Sequence, residues 1–321
     1  MRYISALRPV NLILIVFTVL CLRFLLVEPI LFTVGQALNE EIVPQLNTLH
    51  LILLILSMLL IAAGGYIIND LADIEIDAIN KPGKNIIGEV LSKKSATNLY
   101  YILTGGGLLA AVITAISVWN YNLAVMQIGV AVSLYFYAFY FKKTFLPGNL
   151  IVAGVVAAVP FTYGIYEIVP LQDAYIFIQE DHPEFNFNFL AYWILGFTAF
   201  AFLITLTREI TKDLEDLEGD MRYGSKSLPA TLGISGTKIV LVLLYLIGIS
   251  GLGYLHLNYL ADKNTLIYFS ILSLFFIALI ILTVLARSAS HYGKVSALNK
   301  ITTLFGVLYT AVVAYMMYNI H

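Results

Sequence analysis

The chain has 321 residues, of which 60% are hydrophobic and only 12% charged, and its formal net charge is −2. A soluble domain carries about 25% charged residues, so this composition excludes an ordinary water-soluble protein. The single cysteine, Cys21, lies inside the first apolar stretch and excludes both a disulfide within the chain and a cysteine metal site.

Nine apolar stretches follow one another along the chain, each long enough to cross a hydrocarbon core that needs roughly 20 helical residues. They lie near residues 10–34, 48–68, 97–118, 121–141, 149–168, 188–207, 237–256, 265–286 and 301–319. Because backbone polar groups in lipid must be satisfied within the segment, we predict an all-α integral membrane bundle of nine transmembrane helices. No soluble domain interrupts them, so residues 1–321 are predicted to form a single polytopic domain.

Lysine and arginine predict the orientation, since cytoplasmic loops are enriched in both. With a cytoplasmic N terminus, 16 of the 18 basic residues lie on the cytoplasmic side. Of the other two, Arg23 lies within the first span and Lys263 on the opposite, acidic side. We therefore expect a multi-pass protein of the inner (plasma) membrane, with the charged loops 69–96 and 208–236 in the cytoplasm.

These two loops contain the same acidic pattern. Residues 69–77 read Asn-Asp-Leu-Ala-Asp-Ile-Glu-Ile-Asp, and residues 212–220 read Lys-Asp-Leu-Glu-Asp-Leu-Glu-Gly-Asp. The two segments align without a gap, and each follows a span that runs inward, the second and the sixth. The pattern therefore predicts a parallel internal repeat, related by an axis along the membrane normal.

On a helix that continues through each motif, at about 100° per residue, the aspartates share one face. The polar residues on that face are Asn69, Asp70, Asp73 and Asp77 in the first copy and Glu209, Lys212, Asp213, Asp216 and Asp220 in the second. Glu75 and Glu218 point away and are expected to be solvated. One acidic cluster is equally well explained as a solvated helix end. Two are locally unfavourable, because like charges repel and a helix C terminus disfavours anions, so we expect cations there.

Hard divalent cations take oxygen ligands, and magnesium typically bridges one or two carboxylates to substrate phosphates. Two facing stripes would therefore hold a diphosphate through magnesium ions. Lys84, Arg208, Lys212 and Arg222 would neutralise the remaining charge. The spacing excludes a calcium-binding helix–loop–helix, and the sequence has no glycine-rich phosphate loop and no HExxH motif.

At these residues the sequence resembles the UbiA superfamily of intramembrane prenyltransferases. The first motif, Asn69-Asp-x-x-Asp73-x-x-x-Asp77, continues through Asn80-Lys81-Pro82, and the second runs from Arg208 to Asp220 and continues to Ser227-Leu228-Pro229. Nine spans also match, so the resemblance covers essentially the whole chain. It implies a magnesium-dependent enzyme that ionises a prenyl diphosphate, whose carbocation an acceptor then captures.

The resemblance and the shared helix face together select the candidate site residues. The catalytic candidates are Asp73, Asp77, Asp216 and Asp220, and the metal-ligand candidates are Asn69, Asp70, Asp73, Asp77, Asp213, Asp216 and Asp220. The substrate-binding candidates are Asn11, Asn69, Lys84, Tyr137, Lys142, Arg208, Lys212 and Arg222. Asn11, Tyr137 and Lys142 are included among these candidates because Arg8-Pro9-x-Asn11 and the end of the fourth span also resemble the family. Tyr137 is equally typical of an interfacial aromatic residue, and Lys142 of a topology-setting charge.

Within the superfamily, the second motif looks closest to the digeranylgeranylglyceryl phosphate synthase branch, whose members transfer a geranylgeranyl chain to the hydroxyl of geranylgeranylglyceryl phosphate. One departure follows Asn80-Lys81-Pro82, where members commonly continue with an arginine, then a proline, then an isoleucine. Here the run is Gly83-Lys84-Asn85-Ile86-Ile87-Gly88, with lysine in place of the arginine and no proline. A lysine keeps the charge but loses the bidentate fork that suits phosphate.

The expected partners are a prenyl diphosphate donor, a hydrophobic lipid or aromatic acceptor, and membrane lipids, with no nucleic acid. An aromatic quinone precursor remains the alternative acceptor. An ion-coupled transporter remains the alternative class of protein, since charges within spans often mark ion paths. The aspartates, however, lie at the cytoplasmic membrane edge and not at the midplane.

Overall fold

The computed structural model describes residues 6–74, 87–88, 90–142, 144–182, 186–222 and 224–319, apart from the side chains of Gln179 and Asp220. Within these ranges nine helices are long and apolar enough to cross a membrane, which confirms the predicted all-α membrane fold. They are α1 Pro9–Leu38, α2 Thr48–Ala72, α3 Lys93–Ser117, α4 Asn122–Phe141, α5 Pro147–Ala174, α6 Asn188–Glu215, α7 Leu228–Asn258, α8 Lys263–Leu285 and α9 Ala289–Tyr318. Two short helices, Ile176–Asp181 and Leu217–Arg222, connect longer ones.

Three helices begin or end well outside the apolar stretches that predicted them. Helix α6 continues past residue 207 to Glu215, α7 begins at Leu228 and α9 begins at Ala289. These extensions carry polar and charged side chains, so hydropathy alone does not report them. The extension of α6 matters most, because it makes the first half of the second motif helical.

Six of the nine helices surround a central cavity, and three stand outside it. Residues of α1, α2, α4, α5, α6 and α9 line the cavity. Helix α3 packs on the outer side of α2 and α4, and α7 and α8 pack beside α6 and α9. Buried apolar residues from all nine helices form one contiguous core.

Within the described residues two of the spanning helices contain a π-helical turn, and a charged residue lies within or directly after each turn. In α4 the turn Tyr137–Phe141 ends the helix, and the Lys142 amide donates to the Tyr137 carbonyl at 3.0 Å. In α1 the turn Leu22–Val27 carries Arg23. Such turns are often found at functional sites because the extra residue re-aims the neighbouring side chains.

A buried ion pair joins α1 to α5 at the end of the bundle opposite the two motifs. Arg23 Nη1 lies 2.9 Å from Glu167 Oε2, and the Glu167 side chain is fully buried. The amides of Gln45 and Leu46, in the loop before α2, donate to the other oxygen of Glu167. Glu28 accepts a second hydrogen bond from Arg23 at 3.1 Å. This network closes the far end of the bundle and fixes the loop over it.

The ends of α2 and α6 agree with the predicted repeat. Helix α2 ends at Ala72 with Asp73 as its C-cap residue, and α6 ends at Glu215 with Asp216 in the same position. Each aspartate amide donates to the carbonyl four residues earlier, at 3.1 Å and 2.8 Å respectively. The assumption of one helix through each motif is wrong, since α2 ends at Ala72 in the first motif and a new short helix begins directly after Asp216 in the second.

Candidate active site

A cavity of about 770 Å³ lies within the bundle. Its middle is lined by apolar side chains, among them Ile61, Val130, Leu134 and Phe197. Its other region contains the charged residues of both motifs together with charged residues of α1, α4 and α9. This distribution suits a ligand with an apolar chain and an anionic head group.

Asp73 is buried at one side of the charged region. Lys142 Nζ forms an ion pair with Asp73 Oδ2, and the Asn69 side-chain amide donates to the same oxygen at 3.2 Å. Lys142 also donates to Asn69 Oδ1 at 3.2 Å. The π-helical turn at the end of α4 places Lys142 in this position, and Tyr137 lines the cavity beside it. The structure thus brings four predicted site residues together.

Asp216 occupies the equivalent position on α6 and is exposed. It lines the same cavity, as does Asp213, whose Oδ2 accepts a hydrogen bond from Asn149 Nδ2 at 2.8 Å. Asn149 is the third residue of a Pro-Gly-Asn run that opens α5, and Asn11 is the third residue of a Pro-Val-Asn run that opens α1. Both asparagines line the cavity, so helix pairs α1–α2 and α5–α6 contribute in the same way.

Three charged residues of α6 form a linked group on the cavity wall. Arg208 Nη1 lies 2.7 Å from Glu209 Oε1, and Lys212 Nζ lies 3.2 Å from the same oxygen. Glu209 therefore positions both predicted substrate-binding cations. It belonged to the predicted polar face but not to the predicted binding residues, because its role depends on which side of α6 faces the cavity.

Asp70 contacts Arg8, and not the cavity. Arg8 Nη2 lies 2.9 Å from Asp70 Oδ1, and the Arg8 guanidinium stacks over the Tyr66 ring at 4.8 Å. Asp70 is absent from the cavity lining, whereas Arg8 and Tyr66 belong to it. Arg8 has a left-handed backbone, with φ 50° and ψ 61°, just before Pro9 begins α1. Such strain in a residue other than glycine costs of order 1–3 kcal/mol and concentrates at functional sites.

Among the remaining predicted residues, Arg222 is described and does not join this group. Arg222 pairs with Glu218 at 2.7 Å on the exposed short helix, and neither residue lines the cavity. Asp77 and Lys84 lie outside the described residues, as does the side chain of Asp220. The cavity also has lining residues that the sequence did not single out as binding residues: Arg8, Tyr66, Asn149, Glu209, Glu215, Ser225 and Lys300.

The charged region offers oxygen donors of the type that magnesium prefers. Asn69, Asp73, Asp213 and Asp216 all line it. Within the described residues, however, no three acidic, histidine or cysteine side chains lie close enough to hold a metal by themselves. This arrangement fits magnesium, which binds through one or two carboxylates and completes its shell with water and substrate phosphates.

An apolar cavity inside a membrane bundle, with paired carboxylates and cations at one end, defines a class of protein that handles amphipathic anions within the bilayer. A sequence profile of the UbiA prenyltransferase family matches residues 29–301. The digeranylgeranylglyceryl phosphate synthase of Saccharolobus solfataricus is 35% identical over 253 residues, 75% of this chain and 79% of that protein. The protein of the same name from Methanobrevibacter smithii is 31% identical over 229 residues, 71% of this chain and 74% of that one.

Solved structures share the fold. One, from a study of digeranylgeranylglyceryl phosphate synthase in membranes, aligns with a TM-score of 0.65 at 23% identity over 98% of both chains. A UbiA homolog from Archaeoglobus fulgidus bound to GPP and Mg²⁺ aligns with a TM-score of 0.56 at 15% identity, over 97% of this chain and 100% of that one.

The chain belongs to the UbiA prenyltransferase family and is a multi-pass membrane enzyme. This result confirms the resemblance read from the two motifs and displaces the transporter alternative. At the family level it also supports magnesium and prenyl diphosphates as ligands, since homologues have been solved with both.

Proposed function

We propose that this protein transfers a geranylgeranyl group from its diphosphate to the hydroxyl of geranylgeranylglyceryl phosphate, in a magnesium-dependent reaction on the cytoplasmic side of the membrane. The observation that carries the proposal is the matched placement of Asp73 and Asp216. Each is the C-cap of a span, and both line one cavity whose interior is apolar. The acceptor is suggested by the relatives, which are named for that synthesis.

Asp73 and Asp216, with Asn69 and Asp213 beside them, are the residues that would hold magnesium. Bound there, magnesium supplies Lewis-acid stabilisation of the departing diphosphate. Lys142 and Lys212 would donate charge-assisted hydrogen bonds to diphosphate oxygens, which places positive charge where negative charge develops. Asp77, Asp220 and Lys84 remain proposed members of the site.

In the proposed reaction, the bond from C1 of the prenyl chain to the diphosphate oxygen breaks, and the diphosphate keeps the electron pair. A bond forms between C1 and the acceptor hydroxyl oxygen, whose proton passes to the released diphosphate. The apolar wall excludes water, which would otherwise capture the carbocation. Phe197 and Phe200 line the cavity, and aromatic rings there would stabilise the positive charge of the carbocation.

The test uses purified protein in detergent with magnesium, a series of radiolabelled prenyl diphosphates, and two acceptors. We expect an ether product from geranylgeranylglyceryl phosphate and the highest turnover rate with the geranylgeranyl donor. Diphosphate release should be lost in Asp73→Ala and Asp216→Ala. A carbon–carbon product from an aromatic quinone precursor, with no ether product, would instead establish the alternative acceptor. Full activity in both alanine variants would disprove the proposed site.

A further inference from the structure

The cavity ends at one level on three of the helices that surround it. The lining residues farthest from the two motifs on these helices are Met58 of α2, Gln127 of α4 and Thr162 of α5, and we call these three the end wall. Farther along the same helices the side chains are buried core residues that do not line the cavity, namely Leu54, Leu123 and Tyr166. The bundle is therefore filled beyond the end wall.

Hydrogen bonds hold the end wall across the three helices. Gln127 Nε2 donates to Ser57 Oγ at 3.1 Å, and the Tyr166 hydroxyl donates to Gln127 Oε1 at 2.9 Å. Ser57 directly precedes Met58, and Tyr166 lies about one helical turn beyond Thr162, so the end wall lies at one depth. Because both ends of the Gln127 amide are bonded, its side chain is fixed in one orientation and its polar atoms are buried at little cost.

The distance from the motifs to the end wall matches a prenyl chain of one length. At about 1.5 Å per residue, α2 spans about 22 Å from Met58 to its C-cap Asp73, and α5 spans about 20 Å from Asn149 to Thr162. An extended geranylgeranyl chain is about 20 Å long, since each carbon–carbon bond advances it by about 1.25 Å. A diphosphate held between the motifs would thus place the last isoprene unit of this chain against the end wall.

We propose that the end wall limits the length of the prenyl chain that the enzyme accepts, and that Gln127 is the residue that sets this limit. This inference rests on the proposed function and adds the residues that select its donor. A chain with one more isoprene unit needs about 5 Å more, and the buried side chains of Leu54 and Leu123 occupy that space. A shorter chain fills less of the cavity and buries less apolar surface.

The experiment gives each variant an equimolar mixture of geranylgeranyl and geranylfarnesyl diphosphate, with the acceptor that the wild type prenylates, and measures the product ratio by mass spectrometry. In Gln127→Ala the ratio of geranylfarnesyl to geranylgeranyl product should rise about tenfold over the wild type, since part of the fifth isoprene unit then has room. Leu134→Ala is the matched control. Leu134 lines the cavity on the same face of α4, about two turns nearer the motifs, so its truncation widens the cavity without deepening it. Its ratio should equal that of the wild type.

Two further variants separate a limit on chain length from a loss of stability. Met58→Trp adds bulk to the end wall, so the ratio of geranylgeranyl to farnesyl product from a mixture of those donors should fall about tenfold. Tyr166→Phe keeps the ring but removes the hydroxyl that holds Gln127, so the ratio of geranylfarnesyl to geranylgeranyl product should rise about threefold. A loss of folded protein lowers all products together and leaves each ratio unchanged.

Two results would overturn the inference. A wild type that uses the geranylfarnesyl donor as readily as the geranylgeranyl donor would show that the chain leaves the cavity by another route. Equal product ratios in Gln127→Ala, Leu134→Ala and the wild type would show that the end wall does not limit the chain. The proposed function fails separately, because a wild type that prenylates only the aromatic acceptor refutes it, while the product ratios still measure the effect of the end wall.

Discussion

At the residue scale, the acidic residues near the charged end of the cavity have different roles, although they belong to similar sequence motifs. Asp73 and Asp216 cap their helices and line the cavity. Asp70 holds Arg8, and Glu209 holds two cations of its own helix. Each of these roles makes a separate prediction.

Glu209 is expected to act as a positioning residue for the donor. Its substitution by glutamine keeps the shape but removes the charge that holds Arg208 and Lys212. We expect Glu209→Gln to raise the KM for the donor diphosphate about tenfold, with an unchanged unfolding temperature, as measured by steady-state kinetics and thermal denaturation in detergent. Glu218→Gln is the control, because its exposed pair with Arg222 lies outside the cavity. Identical kinetics in the two variants would contradict the role given to Glu209.

Asp70 is expected to matter for Arg8 and not for magnesium, although the sequence placed it among the metal ligands. In Asp70→Asn, the magnesium concentration that gives half-maximal rate should stay at the wild-type value, since Asp70 does not line the cavity. In Asp73→Asn, the same concentration should rise about tenfold or more, since a carboxylate ligand is lost. A magnesium titration of both variants measures these concentrations. An equal increase in the two variants would show that Asp70 is a metal ligand after all.

At the scale of the elements, hydropathy predicts the spans because a helix that crosses lipid must be apolar for about 20 residues. Hydropathy does not predict how far a helix continues beyond its apolar stretch, so it did not predict that α6 extends to Glu215. The break at Asp216 was not visible either, since nothing in Glu-Asp-Leu indicates that a helix ends there. The π-helical turn that brings Lys142 to Asp73 likewise has no sequence signature.

The ion pair between α1 and α5 predicts a contribution to stability at the end far from the site. Glu167→Gln leaves the buried Arg23 guanidinium with Glu28 alone, and breaking a buried pair costs about 3 kcal/mol or more. The variant should unfold at a lower temperature in detergent. Glu28→Gln is the matched control and should cost below about 1 kcal/mol, because its side chain is 35% exposed and Glu167 keeps Arg23 paired. An equal decrease in stability in the two variants would refute the prediction that Glu167 contributes more than Glu28.

At the scale of the whole molecule, the parallel repeat is the feature that the sequence predicts best. Aspartates recur in register after the second and sixth spans, and the structure ends α2 and α6 at matching positions on one cavity. The sequence could not show which charged neighbours face that cavity, because this depends on how α1, α4, α5 and α9 pack around it. Arg8, Asn149 and Lys300 are therefore visible only in the folded chain.

The orientation of the bundle remains a prediction from the distribution of basic residues, and cysteine labelling tests it. Glu218 and Lys263 are exposed on opposite predicted sides, and the natural Cys21 is buried. In intact cells, a membrane-impermeant maleimide should label Lys263→Cys and not Glu218→Cys, which should react only after the membrane is permeabilised. The reverse labelling pattern would place both motifs outside.

The central claim is that two motifs from two halves of the chain form one diphosphate site. It is tested most directly by magnesium-dependent diphosphate release in Asp73→Asn, Asp216→Asn and the double variant. If the carboxylates act as a unit, each single variant should lose about 10³-fold in kcat, and the double variant should be no slower than the slower single one. A wild-type rate in either single variant, or losses that multiply in the double variant, would contradict the account.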